Sequence, residues 1–196
     1  LFFISIRHSC DSKMSEDPDS PPPSTWVMRF LPLIAKGGAV LDLACGRGRH
    51  ALLMADTGLN VTAVDRDVNL LPCHDRITAI EADLEEGGGW PLAGYDFDGV
   101  VVTNYLHRPL FVVLAESLRP GGVLIYETFA VGNEAFGRPR NPEFLLRDGE
   151  LLEAFAGTLS VVAYEAGKID HPSPAVVQRM AAINSPVAPA FIPQPV

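Results

Sequence analysis

Three aspartates and a pair of glycines carry most of the chemistry this chain offers. Gly46-x-Gly48-x-x-Ala51 matches a nucleotide-binding turn: glycine lets the backbone approach a ligand closely, and the helix N-terminus that follows favours polar or negative groups. Asp65 follows at the distance where a carboxylate grips the vicinal hydroxyls of a ribose, and Asp83 closes a further apolar run. Asp42 lies inside the apolar run before the turn, where a dehydrogenase strand ordinarily runs apolar into its glycines. Taken alone, the turn is consistent with NAD, FAD or an adenosyl cofactor. Each aspartate also has a plainer use: Asp42 as a cap of the turn, Asp65 and Asp83 as solvated strand-end carboxylates.

A second set of polar residues follows the fourth and fifth apolar runs. Tyr105, His107 and Arg108 lie in "NYLHRPL", Glu127 and Thr128 end "GVLIYETF", and Arg138 and Arg140 lie in "FGRPRNPEF". His107 offers a general base or a hydrogen-bond donor and equally suits a surface or helix-capping position. Paired arginines offer forks for an anion, or simply a solvated loop. Cys45 reads as a small buried residue in a tight loop before it reads as a nucleophile. Trp26 belongs either to an N-terminal lid or, more commonly for a tryptophan, to packing against a sheet. The three cysteines, Cys10, Cys45 and Cys73, lack metal-site spacing, so no metal is expected.

The elements that must position these residues alternate. Helical apolar spacing over 25–35 starts at a capping Ser24 and stops at Gly37–Gly38, and a second helix over 48–57 stops at Gly58. Further helices are expected at 110–118 and 147–157, with a short one near Pro72. Strands are expected at 39–44, 60–65, 77–83, 97–104, 122–129, 158–166 and 174–183, mostly as continuous apolar runs. Alternating strands and helices of this kind predict a three-layer, doubly wound α/β fold. Its seven-stranded sheet is mostly parallel, with an antiparallel final strand because little chain separates the last two. Residues 1–23 are expected to be a flexible extension, of which 1–13 read as upstream of a start near Met14. Residues 24–184 form the domain and 185–196 a fraying, Pro-rich tail.

Five blocks in order, "VLDLACGRGRH", "VTAVD", "EADLE", "FDGVVVTNYLH" and "LRPGGVLIYETF", resemble class I S-adenosylmethionine-dependent methyltransferases. Within these, the chain is similar to the small bacterial group related to tellurite-resistance methyltransferases, over about residues 24–183. The resemblance implies S-adenosyl-L-methionine as cofactor, with Asp42, Ala44, Cys45, Gly46 and Gly48 shaping the loop at its methionine end. It implies that Asp65 bonds the ribose, that Asp83 with the backbone of Leu84 receives the adenine, and that Thr103, Asn104 and Tyr105 lie near the methyl group. The acceptor, a small molecule such as a soft oxyanion or thiol, would meet Tyr105 and His107 as catalytic candidates and Arg108, Glu127, Arg138 and Arg140 as substrate candidates. Ala44 stands where the wider family often has glycine, and a negative φ is expected there. An NAD(P)-binding reductase and a non-catalytic nucleoside-binding module are the alternative readings.

Bulk properties narrow the partners. A net charge of −9 with a pI near 4.9 disfavours nucleic acid and anionic membrane surfaces. No stretch approaches the roughly 20 apolar residues of a membrane span. An odd number of cysteines predicts reduced thiols and a cytoplasmic protein. Oligomeric state is left open.

Overall fold

The computed structural model describes residues 5–7, 21–86, 89–185 and 192–195. Its strands are β1 (Ser5–Arg7), β2 (Ala39–Leu43), β3 (Asn60–Asp65), β4 (Ile77–Glu81), β5 (Phe97–Thr103), β6 (Leu118–Phe129), β7 (Ser160–Ile169) and β8 (Ala175–Ile183). They form one eight-stranded sheet in the order β1-β4-β3-β2-β5-β6-β8-β7. The block β4-β3-β2-β5-β6 is parallel throughout. β8 inserts between β6 and β7, antiparallel to both. All seven expected strands are present, and β1 adds an antiparallel eighth on the edge of β4, within the segment read as an extension.

The helices are shorter than the apolar spacing suggests. α1 spans Thr25–Phe30 and gives way to a 3-10 turn at Leu31–Leu33, because Pro32 cannot continue the α-helical bonding. α2 spans Arg49–Asp56, α3 Phe111–Glu116 after a 3-10 turn containing Pro109, and α4 Glu150–Phe155. The segment around Pro72 forms no helix, correcting that expectation: residues 66–76 cross between β3 and β4 in turns. Helix docking splits the core by strand parity. Leu41, Leu43, Val100, Val102, Leu124 and Tyr126 face α3 and α4, with Leu114, Leu151 and Phe155. Val40, Val101, Val123 and Ile125 face α1 and α2, with Trp26, Phe30 and Met54.

Parity also fixes which polar residues share a face. Asp42 on β2, Thr103 on β5 and Glu127 on β6 all follow the α1/α2 parity, and Thr103 pairs directly with Glu127. Glu127 pairs in turn with Arg179 on β8, and Arg179 with Glu165 on β7. Opposite charges alternate along this row, the favourable cross-strand arrangement. Arg179 reaches Glu127 at 3.3 Å and Glu165 at 2.7 Å. Trp26 lies under the Arg179 guanidinium, 5.1 Å from its ring centroid, so the tryptophan packs against the sheet. Cys73 is disulfide-bonded, which corrects the expectation of three reduced thiols, while Cys45 is a buried free thiol. Among the described residues, no helix is long and apolar enough to cross a membrane.

Candidate functional site

The turn after β2 is built by its bonds to β3. Cys45 N–H donates to the Val64 carbonyl at 3.0 Å, and Gly46 N–H donates to Asp65 Oδ2 at 2.8 Å. Making both bonds forces the chain through the left-handed region, with φ of 52° at Ala44 and 54° at Gly46. The negative φ expected at Ala44 is therefore overturned: alanine accepts the strained conformation because two hydrogen bonds hold its neighbours. Gly48 has φ of 78° as the N-cap of α2. A Cβ there would sit 2.5 Å from Leu71 Cδ2 and 2.7 Å from Pro72 Cδ, so glycine is required for packing. A Cβ on Gly46 would meet nothing within 4 Å.

Beside this turn, at the C-terminal ends of the parallel strands, lies a cavity of about 430 Å³. The turn after β2 contributes Ala44, the end of β3 contributes Asp65 and Arg66, and the end of β4 contributes Asp83, Leu84 and Glu85. The end of β5 supplies Asn104, Tyr105 and Leu106; β6 supplies Thr128; the loop after it supplies Pro139 and Phe144. A switch-point crevice at strand C-termini is where open parallel sheets bind ligands, and the volume suits a small molecule.

Both strand-end carboxylates are half-engaged. Asp65 accepts from Gly46 N–H on Oδ2 and from Asp67 N–H at 3.2 Å on Oδ1. Asp83 Oδ1 accepts from Glu85 N–H at 2.8 Å and Glu86 N–H at 3.2 Å. Those two bonds, with lesser contributions from Arg66 and His107, hold Asp83 below the usual carboxylate range. A carboxylate has about four acceptor directions, so each keeps some for a ligand. Asn104 is also left-handed, with φ of 56°. Burial raises the Tyr105 pKa above its ordinary value, and neighbouring Glu85 adds to the effect, so its phenol is a hydrogen-bond donor at neutral pH.

Three other sequence candidates lie behind the wall. Asp42 is 1% exposed and accepts from Ala51 N–H in the first turn of α2. Its Oδ2 has no partner among the described residues, and burial pushes its pKa up to about 7 against the pull of Ala51 N–H and Arg49. Thr103 is buried, with its hydroxyl 3.2 Å from His50 Nδ1. Cys45 has its thiol pushed up by burial, which removes it as a nucleophile.

The substrate candidates fare differently. Arg108 makes a bidentate pair with Glu150, 2.6 Å and 3.0 Å, and donates to the Glu143 and Leu145 carbonyls at 2.7 Å and 2.9 Å. It fastens the 141–146 segment to α4 and is not on the cavity wall. Arg138 and Arg140 are exposed, and their loop reaches the cavity through Pro139 and Phe144 instead. Glu127 lies on the α1 side of the sheet, accepting from Ser24 Oγ–H at 2.9 Å and from Arg179. His107 is half-buried at the start of a 3-10 turn, off the wall.

His50 is the residue that sequence reasoning missed. It is 2% exposed, and its Nε2 accepts from Ser24 N–H at 2.9 Å. Nδ1 must then carry the proton and donate to Thr103. Burial, helped by Arg49, lowers its pKa to about 3, so the ring is neutral. Through Ser24, His50 and Glu127 together dock the chain before α1 onto the C-terminal ends of β5 and β6, and Arg49 donates to Pro22 O at 3.0 Å.

Comparison with known proteins agrees with this architecture. Residues 40–122 match the family model described as a methyltransferase domain. A putative methyltransferase, YqeM of Bacillus subtilis, is 28% identical over 120 residues, covering 52% of this chain and 45% of that protein. The chain thus spans about half the length of the curated relative it matches. TehB from Haemophilus influenzae superposes with a TM-score of 0.66 at 18% identity, over 81% of this chain and 61% of TehB. An S-adenosylmethionine-dependent methyltransferase from Mesorhizobium loti gives 0.63 at 16% identity, over 82% and 98%. The 1,6-didemethyltoxoflavin-N1-methyltransferase of Burkholderia thailandensis, with S-adenosylhomocysteine bound, gives 0.55 at 20% identity, over 82% and 76%. The fold is the Rossmann-like one of S-adenosylmethionine-dependent methyltransferases.

Proposed function

We propose that this chain is an S-adenosyl-L-methionine-dependent methyltransferase whose acceptor is a small molecule held in the cavity described above. One observation carries the reading: Asp65, Asp83 with Leu84, and the left-handed turn at Ala44 converge on a single cavity at the C-terminal ends of parallel strands. The matched methyltransferase-domain model and the folds of the solved methyltransferases support it.

The donor set fits such a cofactor. Asp65 retains acceptor directions for a ribose diol, and Asp83 Oδ2 is left for an exocyclic amine beside the Leu84 backbone. The turn Ala44–Cys45–Gly46 would shape the methionine end, with Asp42 holding α2 in place beneath it. Thr103, fixed by neutral His50, would act as a positioning residue for Asn104 and Tyr105 beside the reacting centre.

The cofactor, when bound, supplies a methyl group already activated on sulfur. The chain's contribution is then to align an acceptor and exclude water. Pro139, and Phe144 on the segment fastened through Arg108 to Glu150, would close the outer side of the cavity. The Tyr105 hydroxyl would orient the acceptor as a donor.

Calorimetric titration with S-adenosylhomocysteine and with NADH tests the reading. Saturable binding of S-adenosylhomocysteine, weakened by about 1.5–3 kcal/mol in Asp65→Ala, is expected for lost hydrogen bonds to a charged acceptor. Binding of NADH without a response to S-adenosylhomocysteine would favour the reductase alternative and refute the proposal. Acceptor-dependent release of S-adenosylhomocysteine separates a methyltransferase from a non-catalytic nucleoside-binding module.

A further inference from the structure

The chain leaves β5 at a bend that decides where this side of the cavity wall stands. Asn104 is left-handed, with φ of 56°, and its N–H donates to the Glu127 carbonyl at 2.9 Å. Tyr105 follows on the wall, packed against the α3/α4 side of the core. Its own hydroxyl is buried and has no hydrogen-bond partner among the described residues, so that group does not fix the ring. The backbone has to. Tyr126 of β6 donates its hydroxyl to the Tyr105 carbonyl at 3.0 Å. Tyr126 is 1% exposed, and its ring packs against Phe111 of α3 and Phe155 of α4, 6.1 Å from each centroid. It pairs with Val102 across the sheet, so β6 carries the hydroxyl to a fixed point just beyond the end of β5. Phenylalanine would fill this aromatic cluster equally well. What tyrosine adds is one O–H, and that O–H is spent on the backbone of a wall residue.

We propose that Tyr126 is a positioning residue for methyl transfer, acting through the Tyr105 carbonyl to hold the Tyr105 ring towards the cofactor's sulfonium. The proposal rests on the methyl-donor reading, in which Tyr105 lies beside the reacting centre, and it names the group that sets the direction of that side chain. The reason is electrostatic. S-adenosylmethionine carries a cationic sulfur and S-adenosylhomocysteine a neutral one. An aromatic ring favours a cation only when its face is turned to it within about 6 Å. Thr103 and His50 fix the chain before the bend. Beyond the bend, the peptide unit after Asn104 is held by the Tyr126 hydroxyl. Without that bond the unit can rotate, and the Tyr105 ring turns with it.

Calorimetric titration of the full chain with S-adenosylmethionine and with S-adenosylhomocysteine reads the ratio of their dissociation constants. Tyr126→Phe removes only the hydroxyl and should weaken S-adenosylmethionine relative to S-adenosylhomocysteine by about three- to fivefold. Tyr105→Ala should shift the ratio at least as far, and adding Tyr126→Phe to it should shift it no further. Phe155→Leu loosens the same aromatic cluster without touching the hydroxyl. It should lower the melting temperature and leave the ratio at the wild-type value. A wild-type ratio in Tyr126→Phe overturns the proposal. So does a shift that persists in the Tyr105→Ala background, or an equal shift in Phe155→Leu. Each of these results leaves the donor reading intact, whereas a wild-type chain that binds neither ligand overturns the donor reading and this proposal with it.

Discussion

Asp42 and His50 are buried on the same face of the sheet, and their ionisations oppose one another, so replacing either one exposes the pH dependence of the other. His50 has its pKa lowered from 6.5 to about 3 by burial. Between those values the unfolded chain binds a proton that the folded chain does not, so stability falls on acidification by about 1.4 kcal/mol per pH unit. Asp42 has its pKa raised from 3.8 to about 7, also chiefly by burial. Here the folded chain holds the extra proton between pH 3.8 and 7, so stability rises on acidification at about the same slope.

From pH 6.0 to 4.5 the two contributions are each about 2 kcal/mol and cancel. Asp42→Asn keeps an acceptor for Ala51 N–H but removes the titration, and should lose about 2 kcal/mol relative to wild type over that interval. His50→Gln keeps one acceptor for Ser24 N–H and one donor for Thr103, and should gain about as much. Urea unfolding at pH 4.5, 5.25 and 6.0, analysed at constant m, reads the slopes, and comparing variants removes the contribution of every other carboxylate. Parallel lines for wild type and Asp42→Asn would refute the burial argument for Asp42, and parallel lines for wild type and His50→Gln would refute it for His50.

Three further outcomes follow from backbone and packing. Ala44→Gly relieves a φ of 52° and should stabilise the fold by about 0.5–1 kcal/mol, offset in part by the freer unfolded chain, as read by thermal melting. Gly48→Ala places a Cβ within 2.7 Å of both Leu71 and Pro72 at a φ of 78°, and should cost about 2–3 kcal/mol in urea unfolding. Arg108→Met leaves the carboxylate of Glu150, 5% exposed, with only Arg147 to pair it. It should cost about 3 kcal/mol of stability and speed amide exchange across 141–146, a segment that would stay protected if Arg108 were ornamental.

Legibility in the sequence tracked the separation between partners. Asp65 and the glycine turn were readable together because the carboxylate meets Gly46 across one strand–turn–helix–strand unit, a spacing of 19 residues. Asp83 was readable from the apolar run that it closes and from the family resemblance, while its bonds to Glu85 and Glu86 N–H were not foreseen. Strand positions were legible from continuous apolar runs, whereas helix ends were misjudged where Pro32 converts the end of α1 to 3-10 and where β6 begins as early as Leu118. Arg108 was misassigned because its partner Glu150 lies 42 residues on, in a helix whose approach no local pattern announces. His50 was hidden for the same reason: it sits inside an amphipathic helix as one more polar residue, while Ser24 is 26 residues before it and Thr103 is 53 after it. The available signal was positional, a histidine in the first turn after the glycine turn, and it becomes meaningful only when the strand order brings β5 beside β2.

The glycine fingerprint itself is two different constraints that share one spelling. At position 48 a steric requirement is added to a left-handed φ of 78°, since Leu71 and Pro72 close against the Cα and leave no room for a side chain. At positions 44 and 46 the requirement is conformational. The bonds from Cys45 and Gly46 to β3 are made with a left-handed backbone at Ala44 and Gly46. A conformational requirement has a finite cost, about 1–2 kcal/mol for a residue with a Cβ, and neighbouring bonds can offset it. A steric one cannot be met without moving the 71–72 segment. That difference explains why Ala can stand at 44 without disrupting the turn, and why the same substitution at 48 is expected to disturb it.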